Sequence, residues 1–157
     1  MFKLVCAGAV ALNLVALGAV ASFPLDKDEK AEAIRRDREL IQGKWRVVHL
    51  VDDGKVSKPN DVFKVFIENG KDGSWSLMAD GKVIAKGPST INPDSKPKTI
   101  DFYIIEDNGK RVDLQGIYEL NQRSRKLCFA AKEKGRPKVF EAPKGSGNIL
   151  LELERKD

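Results

Sequence analysis

The sequence predicts an all-β protein: an antiparallel meander barrel of eight or nine strands with a short N-terminal helix. Three observations carry this reading. From Trp45 to Arg155 apolar residues recur at every second position, the period of strands that bury one face. Short turns rich in Gly, Asn and Asp separate many of these runs, and links this short join antiparallel neighbours but leave no room for helical crossovers. Finally, the step Gly43-Lys44-Trp45 ends a charged helical segment and opens the first strand, while Arg155 lies on the last one.

The chain begins with the pattern of an export leader. Met1-Phe2-Lys3 is a short positive region, Leu4 to Val20 is apolar apart from Asn13, and Ala19-Val20-Ala21 is an A-x-A cleavage site before Ser22. Residues 1–21 are therefore expected to be a signal peptide, with an uncleaved anchor as the alternative. The apolar stretch is rich in Ala and Gly and at the low edge of what spans a bilayer, so no stable membrane span is expected after cleavage. The expected location is extracytoplasmic, periplasmic or secreted. Cys6 has no apolar stretch before it and so does not read as a lipoprotein cysteine.

Residues 22–42 form a tail and helix. Ser22 to Asp26, with Pro24, reads as tail; Lys27 to Gln42 is dense in charge, with Ala31, Ala33, Ile34, Leu40 and Ile41 as its apolar content. That pattern predicts a helix whose last turn docks on the domain, ended by Gly43. Residues 43–157 form the barrel domain. Its expected strands are Lys44–Val51, Val62–Glu68, Ser74–Ala79, Lys82–Lys86, Thr99–Ile105, Leu114–Asn121, Lys126–Lys132 and Asn148–Arg155. Val139-Phe140 is either a ninth strand or a loop lining. Asp52-Asp53-Gly54, Asn69-Gly70, Asp80-Gly81 and Asn108-Gly109 are the turns, where positive φ is tolerated. Pro88 to Lys98 and Lys132 to Lys138 carry prolines and no apolar period, and read as longer links.

Composition excludes several function classes. The chain has 157 residues, enough for one domain with one core, and a net charge of +5 spread along its length. Nucleic-acid binding usually needs a concentrated basic stripe, so no nucleic-acid partner is expected. Loss of the leader leaves Cys128 as the lone cysteine, and its neighbours Leu127 and Phe129 mark it as a strand residue. Stability must then rest on an apolar core without an intrachain disulfide.

Lys96-Pro97-Lys98-Thr99-Ile100-Asp101, Gly116-Ile117-Tyr118-Glu119-Leu120, Leu127-Cys128-Phe129, Arg136-Pro137, Phe140 and Gly145-Ser146-Gly147 follow one another in that order, after Leu40-Ile41-Gln42-Gly43-Lys44-Trp45. Together, over about residues 40–155, they resemble a domain family of unknown function expanded in planctomycete bacteria, whose members typically follow an export signal. The resemblance implies an extracytoplasmic, lipocalin-like β domain and names no activity. The lipocalin likeness itself rests on Gly43-x-Trp45, the preceding helical turn, the strand count and Arg155. If Trp45 and Arg155 both face inward at the closed end, the guanidinium lies over the indole, worth about 0.5–2 kcal/mol; the alternative is an unpaired Arg on a frayed terminus.

No catalytic residues, metal site or cofactor are expected. The one histidine, His49, limits any nucleophile–base pairing. Gly145-Ser146-Gly147 lacks the spacing of a nucleophile elbow. No second His or C-x-x-C completes a zinc site, and the aspartates at Asp52-Asp53 and Asp107 do not extend into a calcium loop. Lys132 to Lys138 is the densest basic cluster, read as a solvated hairpin loop.

The inward-phased set is Trp45, His49, Phe63, Trp75, Phe102, Tyr118 and Phe129. Trp45 and Arg155 are assigned to barrel closure. His49, Phe63, Trp75, Phe102, Tyr118 and Phe129 are the candidate ligand-binding residues, with His49 and the Tyr118 hydroxyl orienting the polar end of a small apolar ligand. An eight-stranded barrel is just wide enough either to be filled or to hold such a ligand. Two other readings stay open. One is a filled barrel serving as a protein-interaction module of the cell envelope, its partner unknown; the other is an enzyme built around Asp101, Cys128 and His49.

Overall fold

The computed structural model describes residues 27–105 and 109–157. The expected leader, Cys6, the tail at 22–26 and the Asp107-Asn108 turn lie outside the described residues.

Helix α1 (Lys27–Ile41) starts with Asp28 and Glu29, whose charge complements the partial positive end of a helix. Arg35 bridges Glu32 and Glu39 along its exposed side, an arrangement that adds little stability. Ile34, Asp37 and Ile41 share the opposite side, at helical spacing, and the last two are buried. The chain leaves the helix through Gly43, whose φ of +103° is ordinary for glycine alone.

The strands are β1 (Gly43–Asp52), β2 (Lys55–Val56), β3 (Val65–Asn69), β4 (Ser74–Ala79), β5 (Lys82–Asn92), β6 (Lys98–Ile105), β7 (Arg111–Leu120), β8 (Ser124–Ala131) and β9 (Ile149–Lys156). From β3 to β9 each strand pairs antiparallel with the next. The first strand pairs with β3 on one side and β9 on the other, which closes an eight-stranded barrel. The ninth strand is the short β2, a hairpin partner to the end of β1. Val139-Phe140 forms no strand.

Three details differ from the periodicity, each for a physical reason. The expected strand at Val62 begins instead at Val65, because Pro59–Val62 forms one helical turn, α2, with Pro in its first turn, where no N–H is needed. Val62 is buried and Phe63 is left outside. Pro88 to Lys98 is not a loop throughout: β5 runs on to Asn92 and buries Ile91. Pro88 sits where β5 passes from β4 to β6, opposite Ser74 at the end of one ladder, just before Ser89 pairs with Phe102 in the next. A missing N–H matters least at such a handover. Last, β1 carries a bulge: Val47 pairs with Leu153 but His49 pairs with the adjacent Glu152, so Val48 is an extra residue that reverses the phase of the strand.

The core lies at the helix end of the barrel. Ile41 from α1 packs with Trp45, Val47, Ile91, Ile100 and Leu153. On β7, Gly116 leaves room for β8, since a Cβ there would stand 2.9 Å from that of Phe129.

Candidate functional site

Beyond this packed end the barrel is hollow. A cavity of about 280 Å³ is bounded by inward residues of β3 to β9. Its walls are almost wholly apolar: Ile67, Leu77, Ile100, Leu127 and Leu151, with the rings of Trp75, Phe102 and Phe129. The three rings form one edge-to-face run, with centroids 5.4 Å apart from Trp75 to Phe102 and 5.1 Å from Phe102 to Phe129. This is the favoured geometry for aromatic pairs and fixes the wall.

Of the residues that periodicity placed at a ligand site, Trp75, Phe102 and Phe129 line the cavity. His49, Phe63 and Tyr118 do not. The bulge at Val48 sets His49 opposite Glu152, which alternates with the buried Leu151 and Leu153 and therefore belongs to the outer face. Leu50 takes the inward phase instead, packed against the core. Phe63 follows α2 rather than lying in a strand, and it is 47% exposed with the Arg46 guanidinium 5.3 Å from its ring. Tyr118 is buried, but its hydroxyl donates to Asp37 Oδ2 at 2.7 Å and so is already committed. Burial, then that hydrogen bond and the Asp37 charge, hold the phenol well above its ordinary value.

The closed end has the expected geometry. Arg155 places its guanidinium 4.4 Å from the Trp45 ring and donates to the carbonyls of Gln122, Gln42 and Leu40. The Trp45 indole donates to Ile41 O at 2.7 Å. These bonds satisfy carbonyls at the end of α1 and tie the helix to the barrel rim.

Periodicity missed the polar residues beneath the cavity. Asp37, on the inner side of α1, accepts from Tyr118 and from Lys98 Nζ at 2.8 Å. Arg38 reaches Ser89, donating to its Oγ at 2.9 Å and its carbonyl at 2.6 Å. Arg125, on β8, is at 4% exposure one of the most buried polar residues described. It stands two residues before Leu127 and four before Phe129, in phase with both, so the strand period did contain the signal. Its guanidinium makes one hydrogen bond among the described residues, Nη1 to Asn69 Oδ1 at 3.4 Å. Arg125 Nε and Asn69 Nδ2 are buried without a partner. Burial is the main cause that pulls the guanidinium down to about 10, which still leaves it protonated at neutral pH.

The alternative set of Asp101, Cys128 and His49 is dispersed. Asp101 is ion-paired with Arg136 at 2.6 Å. The Cys128 thiol, on the outer side of β8, donates to Glu141 O at 3.4 Å, and burial raises its pKa, which disfavours the reactive thiolate. His49 is separated from it by β9. Within the basic link Arg136 is structural, donating also to Ile100 O and Gly116 O. Among the described residues no helix is long and apolar enough to cross a membrane. Comparison with protein-family models, curated proteins and solved structures gives no match.

Proposed function

We propose that the chain is an exported, lipocalin-like binding protein of the planctomycete domain type, which holds a small apolar molecule non-covalently inside its barrel and performs no reaction on it. The apolar cavity carries this reading. A filled barrel would leave no such space, and a hollow one gains about 25 cal/mol for each Å² of ligand surface it removes from water, before the cost of association. The leader pattern at residues 1–21 supports the location. Trp75, Phe102 and Phe129 form the aromatic wall of the proposed site.

Native mass spectrometry of the protein purified from cells that produce it tests the proposal. A defined extra mass that leaves on collisional activation is expected, and Ala85→Phe, which fills the cavity from β5, should abolish it while the far-ultraviolet circular dichroism of the folded barrel is retained. A bare mass in the parent protein, or an extra mass that persists in Ala85→Phe, would overturn the proposal.

A further inference from the structure

The floor of the cavity is unlike its walls. Arg125 and Asn69 both line the cavity from beneath, and both are at least nine-tenths buried. A guanidinium has five N–H donors, and Arg125 uses one of them, in a long bond to Asn69. No carboxylate among the described residues pairs with it. Asp37, the buried carboxylate of α1, is taken by Lys98 and Tyr118. Arg38 adds a second positive charge that further disfavours the Arg125 cation. Buried charges are ordinarily paired, because an isolated ion loses far more hydration than a protein interior returns. The amide of Asn69, with its NH₂ unmet, is a second donor at the same place.

We infer that the occupant of the barrel is a medium-chain carboxylate, its carboxyl group seated on Arg125 and Asn69 and its apolar tail in the cavity above. This deepens the reading of the barrel as a container for an apolar molecule and rests on it. A carboxylate fits the floor chemically. It brings the missing negative charge, and its two oxygens accept several hydrogen bonds from a planar guanidinium fork and a neighbouring amide. The tail fits the walls, which offer Ile67, Leu77, Ile100, Leu127 and Leu151 and no further charge. Size bounds the length. At roughly 30 Å³ for each water-sized group, the cavity of about 280 Å³ holds about nine such groups. Octanoate is close to that size.

Calorimetric titration with octanoate and with octan-1-ol, which shares the tail but not the charge, tests the inference. The parent protein should bind octanoate at least about tenfold more tightly than octanol. Arg125→Met should lose that preference, and Arg125→Lys, which keeps a cation, should retain part of it. Equal affinity of the parent protein for both compounds, or octanoate binding unchanged in Arg125→Met, would overturn the carboxylate inference and leave the hollow barrel standing. Binding of neither compound would sink the apolar-ligand reading together with this one.

Discussion

Arg125 is costly to bury, and its position predicts how the ligand-free protein responds to its removal. The residue is protonated at neutral pH and almost unpaired. An isolated buried charge loses hydration that a neutral interior does not return, so an apolar side chain of similar volume removes that cost. Arg125→Met is therefore expected to shift the urea midpoint of the ligand-free protein upward at unchanged slope. A downward shift would mean that the bond to Asn69 outweighs the desolvation of the cation. The result separates a residue kept for binding from one kept for folding. Phe102 and Phe129 differ in this respect, because they serve wall and core at once.

At the scale of elements, the bulge in β1 decides which residues face the barrel. Val48 is the extra residue, and past it the inward positions move from the His49 phase to the Leu50 phase. Leu50→Ala should cost about 2–3 kcal/mol, the low end for a core Leu→Ala change because Leu50 is only partly buried. His49→Ala, on the outer face, should change stability by less than about 0.5 kcal/mol and leave ligand affinity unaltered. Urea unfolding and ligand titration of the two variants check this, and a larger penalty for His49→Ala would place the bulge elsewhere. Periodicity alone cannot register a bulge, because one inserted residue leaves the local alternation intact on both sides. A similar reason hid α2: Val62, Phe63, Val65 and Ile67 look strand-like until Pro59 starts a helical turn.

At the scale of the whole molecule, α1 stoppers one end of the barrel through bonds that are sensitive to alkali. Tyr118 on β7 and Lys98 on β6 both hold Asp37 of the helix. The folded state keeps the Tyr118 proton more firmly than the unfolded chain does, since its phenol is raised by burial and by Asp37. The stabilisation is whole below the ordinary phenol value of about 10 and declines as pH rises above it, where the unfolded chain releases the proton and the folded one retains it. Tyr118→Phe should lower stability by about 1.5–3 kcal/mol at neutral pH, the range for a hydrogen bond to a charged group. It should also lack this part of the alkaline loss. Urea midpoints of parent and variant at about pH 8 and pH 11 measure both effects, and a constant difference between the two proteins would refute the linkage.

The antiparallel barrel and its short helix were legible in the residues themselves. Alternation from Trp45 to Arg155 reports which face of each strand is apolar, whereas the contact of Trp45 with Arg155, left open by the sequence, is made by the pairing of the first strand with the last. Alternation and turns are local properties, set by side-chain order and turn chemistry. The closed sheet alone shows that the interior is partly empty, that His49 and Phe63 lie outside it, and that Tyr118 is spent on the helix. It also set Arg125 on the cavity floor with the Asn69 amide as its one hydrogen-bond partner among the described residues. Whether a charge is paired, and whether inward side chains meet, depends on strand register and barrel closure, which bring together residues as far apart as Asn69 and Arg125. Their proximity is a property of the closed sheet, and no spacing along the chain encodes it.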